Sequence, residues 1–87
     1  MPDSLTIQVK YFASLREALG PGETVRVPRS FSVGALRDDL IDRGEPHAGV
    51  LSRERAVRAA LDQRLCAETE LLHEGAEVAF FPPVTGG

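Results

Sequence analysis

Cysteine occurs once in 87 residues and histidine twice, and no apolar run approaches the roughly 20 residues that a bilayer span requires. Each scarcity removes a class of function. A lone Cys66 can form neither an internal disulfide nor a multi-cysteine metal site. Within Arg64-Leu65-Cys66-Ala67 it reads as a small, semi-buried filler. His47 lies in the irregular stretch 45–55, and His73 precedes Glu74-Gly75, far along the chain. Neither has a second His or Cys at ligand spacing, so both read as surface-loop positions rather than zinc ligands or acid–base groups. An excess of basic charge is also missing. The formal net charge is −3, and arginines alternate with acids, as in Arg53-Glu54-Arg55 and Arg37-Asp38-Asp39. Phosphate binding needs a concentrated basic face, so nucleic acid is excluded as the main partner and a protein partner is favoured. Met1-Pro2-Asp3-Ser4 lacks a basic stretch followed by an apolar one, so the expectation is a soluble, cytoplasmic protein without a membrane partner.

Catalytic and nucleotide motifs are equally sparse. The glycines at 20, 22, 34 and 44 fit neither common phosphate-loop spacing, and no GxSxG or HExxH occurs. Ser14, Ser30 and Ser52 have no neighbouring histidine to activate them, and the carboxylates are scattered. Nothing inside the domain reads as a catalytic or metal centre. What is present is the patterning of one small core. Leu5, Ile7, Val9 and Tyr11 alternate with Thr6, Gln8 and Lys10, the period of a strand buried on one face. Ala13 to Leu19 predicts a short helical turn, ended by Gly20-Pro21-Gly22. Glu23 to Val27 predicts a second strand, stopped by Pro28. Ser32 is the expected N-cap of a central helix with Val33, Leu36 and Leu40 inward, Asp38, Asp39 and Arg43 outward, and Gly44 as its stop. Residues 45–55 have no readable period. Val57 to Leu61 and Arg64 to Ala67 predict two strands around Asp62-Gln63, although the turn lacks the usual glycine. The last strand, Glu77 to Phe81, puts Val78 and Phe80 on the core face and Phe81 on the other. The order strand, strand, helix, then two or three strands predicts a two-layer α+β domain with one main helix on a small mixed sheet. Its first and last strands are expected to run parallel side by side.

The final eight residues are Phe80-Phe81-Pro82-Pro83-Val84-Thr85-Gly86-Gly87. Two prolines cannot donate to a sheet ladder, so they end the last strand and send the chain outward in stiff, extended form. Six extended residues reach at most about 20 Å. With no side chain at Gly86 or Gly87, a carboxylate on Gly87 could enter a narrow channel in another protein. The expected division is a folded domain over 1–81 and a tail over 82–87.

This run resembles the C-terminal signature of the small subunit of molybdopterin synthase, the MoaD-type carriers of the MoaD/ThiS ubiquitin-like family. The resemblance extends to Val9-Lys10-Tyr11-Phe12-Ala13 with Leu15-Arg16-Glu17, to Val33-Gly34-Ala35-Leu36-Arg37, and to Glu74-Gly75-Ala76-Glu77-Val78-Ala79-Phe80-Phe81. Two departures are small: Glu74-Gly75 stands where that turn often has Asp-Gly, and Gly34 occupies a helix position where Gly costs roughly 1 kcal/mol relative to Ala. The resemblance implies a β-grasp fold and a sulfur carrier with no permanently bound cofactor. An E1-like adenylating enzyme (MoeB-type) would use ATP with Mg to adenylate Gly87, and a sulfur donor protein would leave a thiocarboxylate there. The tail residues Val84, Thr85 and Gly86 would then enter the large subunit (MoaE-type), with Phe81, Pro82 and Pro83 docking the body. The catalytic groups would belong to the partners, usually in a heterotetramer. Three alternatives stay open: a carrier for thiamine or cysteine synthesis, a ubiquitin-like modifier joined to lysines, and an interaction module whose terminus is never activated.

Overall fold

A computed structural model describes residues 3–83. Its elements are β1 (Ser4–Tyr11), α1 (Ser14–Leu19), β2 (Gly22–Pro28), α2 (Val33–Ile41), α3 (His47–Leu51), β3 (Arg58–Leu61), β4 (Arg64–Cys66) and β5 (Glu77–Phe81). The five strands form one sheet in the order β2-β1-β5-β3-β4. β1 and β5 are parallel neighbours, with Val9 opposite Val78 and Tyr11 opposite Phe80. The other pairings, β1–β2, β3–β4 and β3–β5, are antiparallel. The expected mixed sheet and its parallel central pair are both observed.

Strand periodicity determines which face is covered. Leu5, Ile7, Val9 and Tyr11 of β1 are buried, as are Val25 and Val27 of β2 and Val78 and Phe80 of β5. Helix α2 lies on this face through Val33, Leu36 and Leu40. Its start follows the expected cap: Ser32 Oγ accepts from the Ala35 N–H at 3.0 Å. Its stop is Gly44, at φ 86°, whose N–H donates to Ile41 O at 3.0 Å.

Three features differ from what local patterning predicts. The stretch 45–55 is not structureless, since it holds α3, whose Leu51 is fully buried. The Asp62-Gln63 turn takes positive φ at both residues, 50° and 71°, without glycine. It is held from outside, because the Glu77 N–H donates to Asp62 Oδ1 at 3.0 Å and the Asp62 N–H donates to Glu77 O at 2.8 Å. Gly34 also acquires a reason. The Val33 and Gly34 N–H groups donate to Glu70 O and Glu68 O, both at 2.9 Å, so the 68–70 segment lies directly on the helix start. A Cβ on Gly34 would come within 3.0–3.3 Å of Glu68 atoms. The absent side chain admits that segment.

Candidate functional site

The last strand delivers the chain to the end of the sheet where β1 also finishes. Phe80 is fully buried beside Tyr11, while Phe81, one residue on, is half-buried on the face that no helix covers. The root of the tail is held from both sides. The Phe12 N–H donates to Phe80 O at 3.1 Å, and Arg58 of β3 stands opposite Phe81 in register. Pro82 and Pro83 follow, both outside any strand. Phe81 thus lies on the face opposite Phe80, and the strand ends where the two prolines begin. Val84, Thr85, Gly86 and Gly87 lie outside the described residues, as does the distal part of the 82–87 segment.

Two clefts flank this root. On the open face, Arg58, Leu65, Phe81 and Pro83 line a cleft of about 240 Å³. Leu65, on the short edge strand β4, leaves 61% of its surface exposed and supplies an apolar wall. On the helix side, Leu15, Val50, Arg55, Val57 and Pro82 are among the residues lining a second cleft of about 260 Å³. A half-exposed aromatic beside an exposed leucine and a rigid proline is the composition of a protein-docking spot. Sequence periodicity identified Phe81. It did not identify Leu65, whose isolated place in a three-residue strand carries no period.

Two polar clusters hold α3 and the segment that follows it. Glu23 at the start of β2 gathers three donors. Tyr11 Oη donates to Glu23 Oε2 at 2.7 Å, His47 Nε2 meets the same oxygen at 2.7 Å, and Arg43 Nη1 lies 3.6 Å from Oε1. A carboxylate only accepts, so Nε2 is the protonated nitrogen of His47. Burial works to raise the Glu23 carboxyl, but hydrogen bonds from His47 and Tyr11 and the charges of His47 and Arg43 hold it below its ordinary range. Burial, reinforced by the same carboxylate, pushes the Tyr11 hydroxyl far upward. His47 is therefore a half-buried strut joining α3 to β2, not a surface-loop residue. Its signal lies in a partner 24 residues away, beyond any local pattern.

Arg37 is the second correction. It sits on the buried stripe of α2, with only 4% of its surface exposed, although Arg37-Asp38-Asp39 read as part of a mixed charged surface. Its Nε donates to Leu51 O at 2.7 Å, and its Nη2 donates to Ser52 O at 2.7 Å and Arg55 O at 3.0 Å. Nη1 donates to Glu68 Oε2 at 2.9 Å. Arg53 grips the other Glu68 oxygen and also Asp38 Oδ1, the latter at 3.0 Å. Burial opposes ionisation of Glu68, but the bonds and charges of Arg53 and Arg37 keep its carboxyl below the usual range. The spacing Val33, Leu36, Arg37, Leu40 could have exposed this role, since position 37 falls on the apolar stripe of a 3.6-residue repeat.

Neither cluster offers free chemistry. The Glu23 and Glu68 carboxylates spend both oxygens on donors, and every Arg37 nitrogen is engaged. Cys66 is partly buried, and that burial, with the nearby Glu70 charge, raises its thiol above the ordinary range, the opposite of an activated thiolate. His73 is an exposed turn residue whose Nε2 meets Asp62 Oδ2 at 2.6 Å, which ties the turn down. Among the described residues, the arrangement presents Phe81, Pro82 and Pro83 between two clefts. No helix among the described residues is long and apolar enough to cross a membrane.

Comparison with known proteins agrees with this architecture. The sulfur carrier subunit of molybdopterin synthase from Escherichia coli is 38% identical over 81 residues, spanning 93% of this chain and 99% of that protein. The solution structure of the HVO 2177 protein of Haloferax volcanii superposes with a TM-score of 0.82 at 25% identity, covering 100% of this chain and 91% of that one. SAMP1 from Haloferax volcanii superposes with a TM-score of 0.71 at 30% identity, covering 94% and 99%. The fold is the ubiquitin-like β-grasp. The pattern of the ThiS family matches residues 9–87, and the chain belongs to that family.

Proposed function

We propose that this protein is the sulfur carrier subunit of a molybdopterin synthase and that it bears its sulfur as a thiocarboxylate on Gly87. The observation that carries this reading is the geometry of the tail root. Phe81, Pro82 and Pro83 leave the sheet between two clefts, at the edge of a body whose Glu23 and Glu68 carboxylates are committed to structural bonds. The likeness to the Escherichia coli carrier subunit over nearly its full length selects molybdopterin over other sulfur pathways.

In this reading the folded body supplies no catalytic group. A carboxylate is a poor electrophile, and an activating enzyme of the MoeB type uses ATP with Mg to convert Gly87 to an acyl adenylate with release of pyrophosphate. A sulfur donor protein then displaces AMP. The synthase large subunit admits Val84, Thr85, Gly86 and Gly87 into its channel, where the sulfur passes to the pterin precursor. Gly86 and Gly87 suit a narrow channel because they add no side-chain width. Phe81, with Leu65 and Pro83 beside it, docks the body at the channel mouth.

Intact-mass analysis tests the reading. Incubation with activating enzyme, ATP and a sulfide source should exchange one oxygen of the Gly87 carboxylate for sulfur. Adding large subunit and pterin precursor should reverse that exchange. Deleting Gly87 should abolish transfer and leave the melting temperature unchanged; retained transfer without Gly87 refutes the assignment.

A further inference from the structure

Of the ten basic residues, nine are arginines, and most of those near the helices are occupied. Arg37, Arg43 and Arg53 each enter ion pairs, and Lys10 pairs with Glu77. Arg55 and Arg58 enter none among the described residues, and both are exposed. Their placement is specific. Among the described residues, Arg58 is the one charged residue lining the open-face cleft with Leu65, Phe81 and Pro83. Arg55 is, among the same residues, the one charged residue lining the helix-side cleft that includes Pro82. No carboxylate of the described residues lines either cleft, in a chain whose net charge is −3.

Both backbones are fixed while both guanidinium groups stay uncommitted. The Arg55 N–H donates to Ser52 O at 2.9 Å and its carbonyl accepts from the buried Arg37 at 3.0 Å. Arg58 is locked in β3 opposite Phe81. A fixed backbone beside an apolar cleft keeps each guanidinium within reach of an arriving carboxylate, and arginine presents a planar fork suited to that pairing. Two charges are too few to hold a nucleic acid backbone. They suit a protein surface in which acidic side chains border an apolar contact.

We propose that Arg55 and Arg58 form a two-sided cationic collar around the tail root, which pairs with carboxylates rimming the tail channel of the synthase large subunit. The proposal rests on the functional reading above and adds the chemistry of the partner's rim. The collar steers the tail toward the channel, while Leu65, Phe81 and Pro83 supply the apolar contact once the two surfaces meet. Charges at a rim act chiefly on association rate and its salt dependence, and apolar contacts act chiefly on dissociation.

The test uses the full chain and its cognate large subunit, with association and dissociation rates measured between about 0.02 M and about 0.5 M salt. The Arg55→Gln/Arg58→Gln double variant should associate about tenfold more slowly at the lowest salt and converge on the wild-type rate at the highest. Its dissociation rate should change much less, and its melting temperature should not move, because both side chains are exposed. An Arg55→Lys/Arg58→Lys variant, which keeps the charge, should retain most of the fast association. A double glutamine variant with wild-type rate and salt slope overturns the collar. So does a loss that is equal at every salt concentration, because that pattern belongs to packing. Failure of the wild-type chain to bind the large subunit at all overturns the functional reading and the collar with it. Normal wild-type binding with unresponsive variants overturns the collar alone.

Discussion

Phe80 and Phe81 are identical side chains on consecutive residues, and the sheet gives them opposite work. Phe80 faces the helix-covered core and has no exposed surface, whereas Phe81 faces the uncovered side among Leu65, Arg58 and Pro83. The difference generalises to the two faces of the sheet. The covered face is built from side chains that interlock with helices and with the Arg37 clasp. Around the tail root the open face leaves Leu65 exposed and Phe81 half-buried, with no helix over them. Stability and recognition are thus separated by the two-residue period of a strand. Phe80→Ala should cost about 3–5 kcal/mol of folding stability, the usual loss for a buried aromatic. Phe81→Ala should lower the melting temperature little and weaken binding to the large subunit. Denaturant unfolding alongside affinity measurement distinguishes the two. Equal stability losses for both variants would erase the contrast between the faces.

Arg37 sharpens the comparison, because it is a charged group serving the covered face. Replacing it with Met keeps much of the apolar stem but removes the donors to Leu51 O, Ser52 O and Arg55 O. Buried acceptors that lose their donor cost about 1–3 kcal/mol each when nothing replaces it, and about 3 kcal/mol in total is expected here. Hydrogen exchange should show the loss concentrated in residues 47–55. A melt unchanged by Arg37→Met would mean that the clasp is ornamental and that Leu51 alone holds α3.

How much of this was legible in the sequence follows from the range of the forces involved. The alternation in β1, the stripe and Ser32 cap of α2, and the opposed faces of Phe80 and Phe81 are local patterns, and the structure shows each as expected. Helix α3 was not legible. Pro46, Gly49 and Ser52 break its period, and it is held by bonds from Arg37 and by the contact of His47 with Glu23, 14 to 24 residues distant. The tightness of the Asp62-Gln63 turn was likewise hidden, because its support comes from Glu77 rather than from a glycine. The tail root could be inferred from Pro82-Pro83, but Leu65 and Arg58 gather there through the antiparallel pairings of β3, and Arg55 through the bond that its carbonyl accepts from Arg37. A contact made by pairing distant strands leaves no period along either one.

Gly34 offers a smaller test of the covered face. In an open helix Gly→Ala gains roughly 1 kcal/mol. Here a Cβ would press on the Glu68 side chain at 3.0–3.1 Å and on its carbonyl oxygen at 3.3 Å. Glu68 is pinned by Arg37 and Arg53 and has little room to withdraw. Gly34→Ala should therefore destabilise, by about 1 kcal/mol, with the sign reversed from the helix-propensity expectation. Releasing Glu68 through Arg53→Ala in the same chain should restore part of the ordinary gain.

The smallest effect lies in the turn that anchors the open-face hairpin. His73 Nδ1 meets Glu74 O at 3.0 Å and Nε2 meets Asp62 Oδ2 at 2.6 Å. Both partners are acceptors, so the protonated imidazole, which donates from both ring nitrogens, satisfies both contacts. The bond to Asp62 raises the His73 pKa above its ordinary 6.5, aided by the Glu74 carbonyl. The Glu77 N–H, followed by His73, lowers that of Asp62 below 3.8. The raised histidine contributes stability that is complete below about pH 6.5 and is lost as pH rises through its folded-state value. The lowered carboxyl contributes above about pH 3.8 and is lost as pH falls through its own. Their joint contribution is fullest between these limits, and because both groups are exposed it should amount to less than about 1 kcal/mol. Thermal melts of wild type and His73→Gln from pH 3 to 9 should differ most within that window and converge above it. A difference that grows toward alkaline pH would show that His73 acts through packing in the turn and not through its charge.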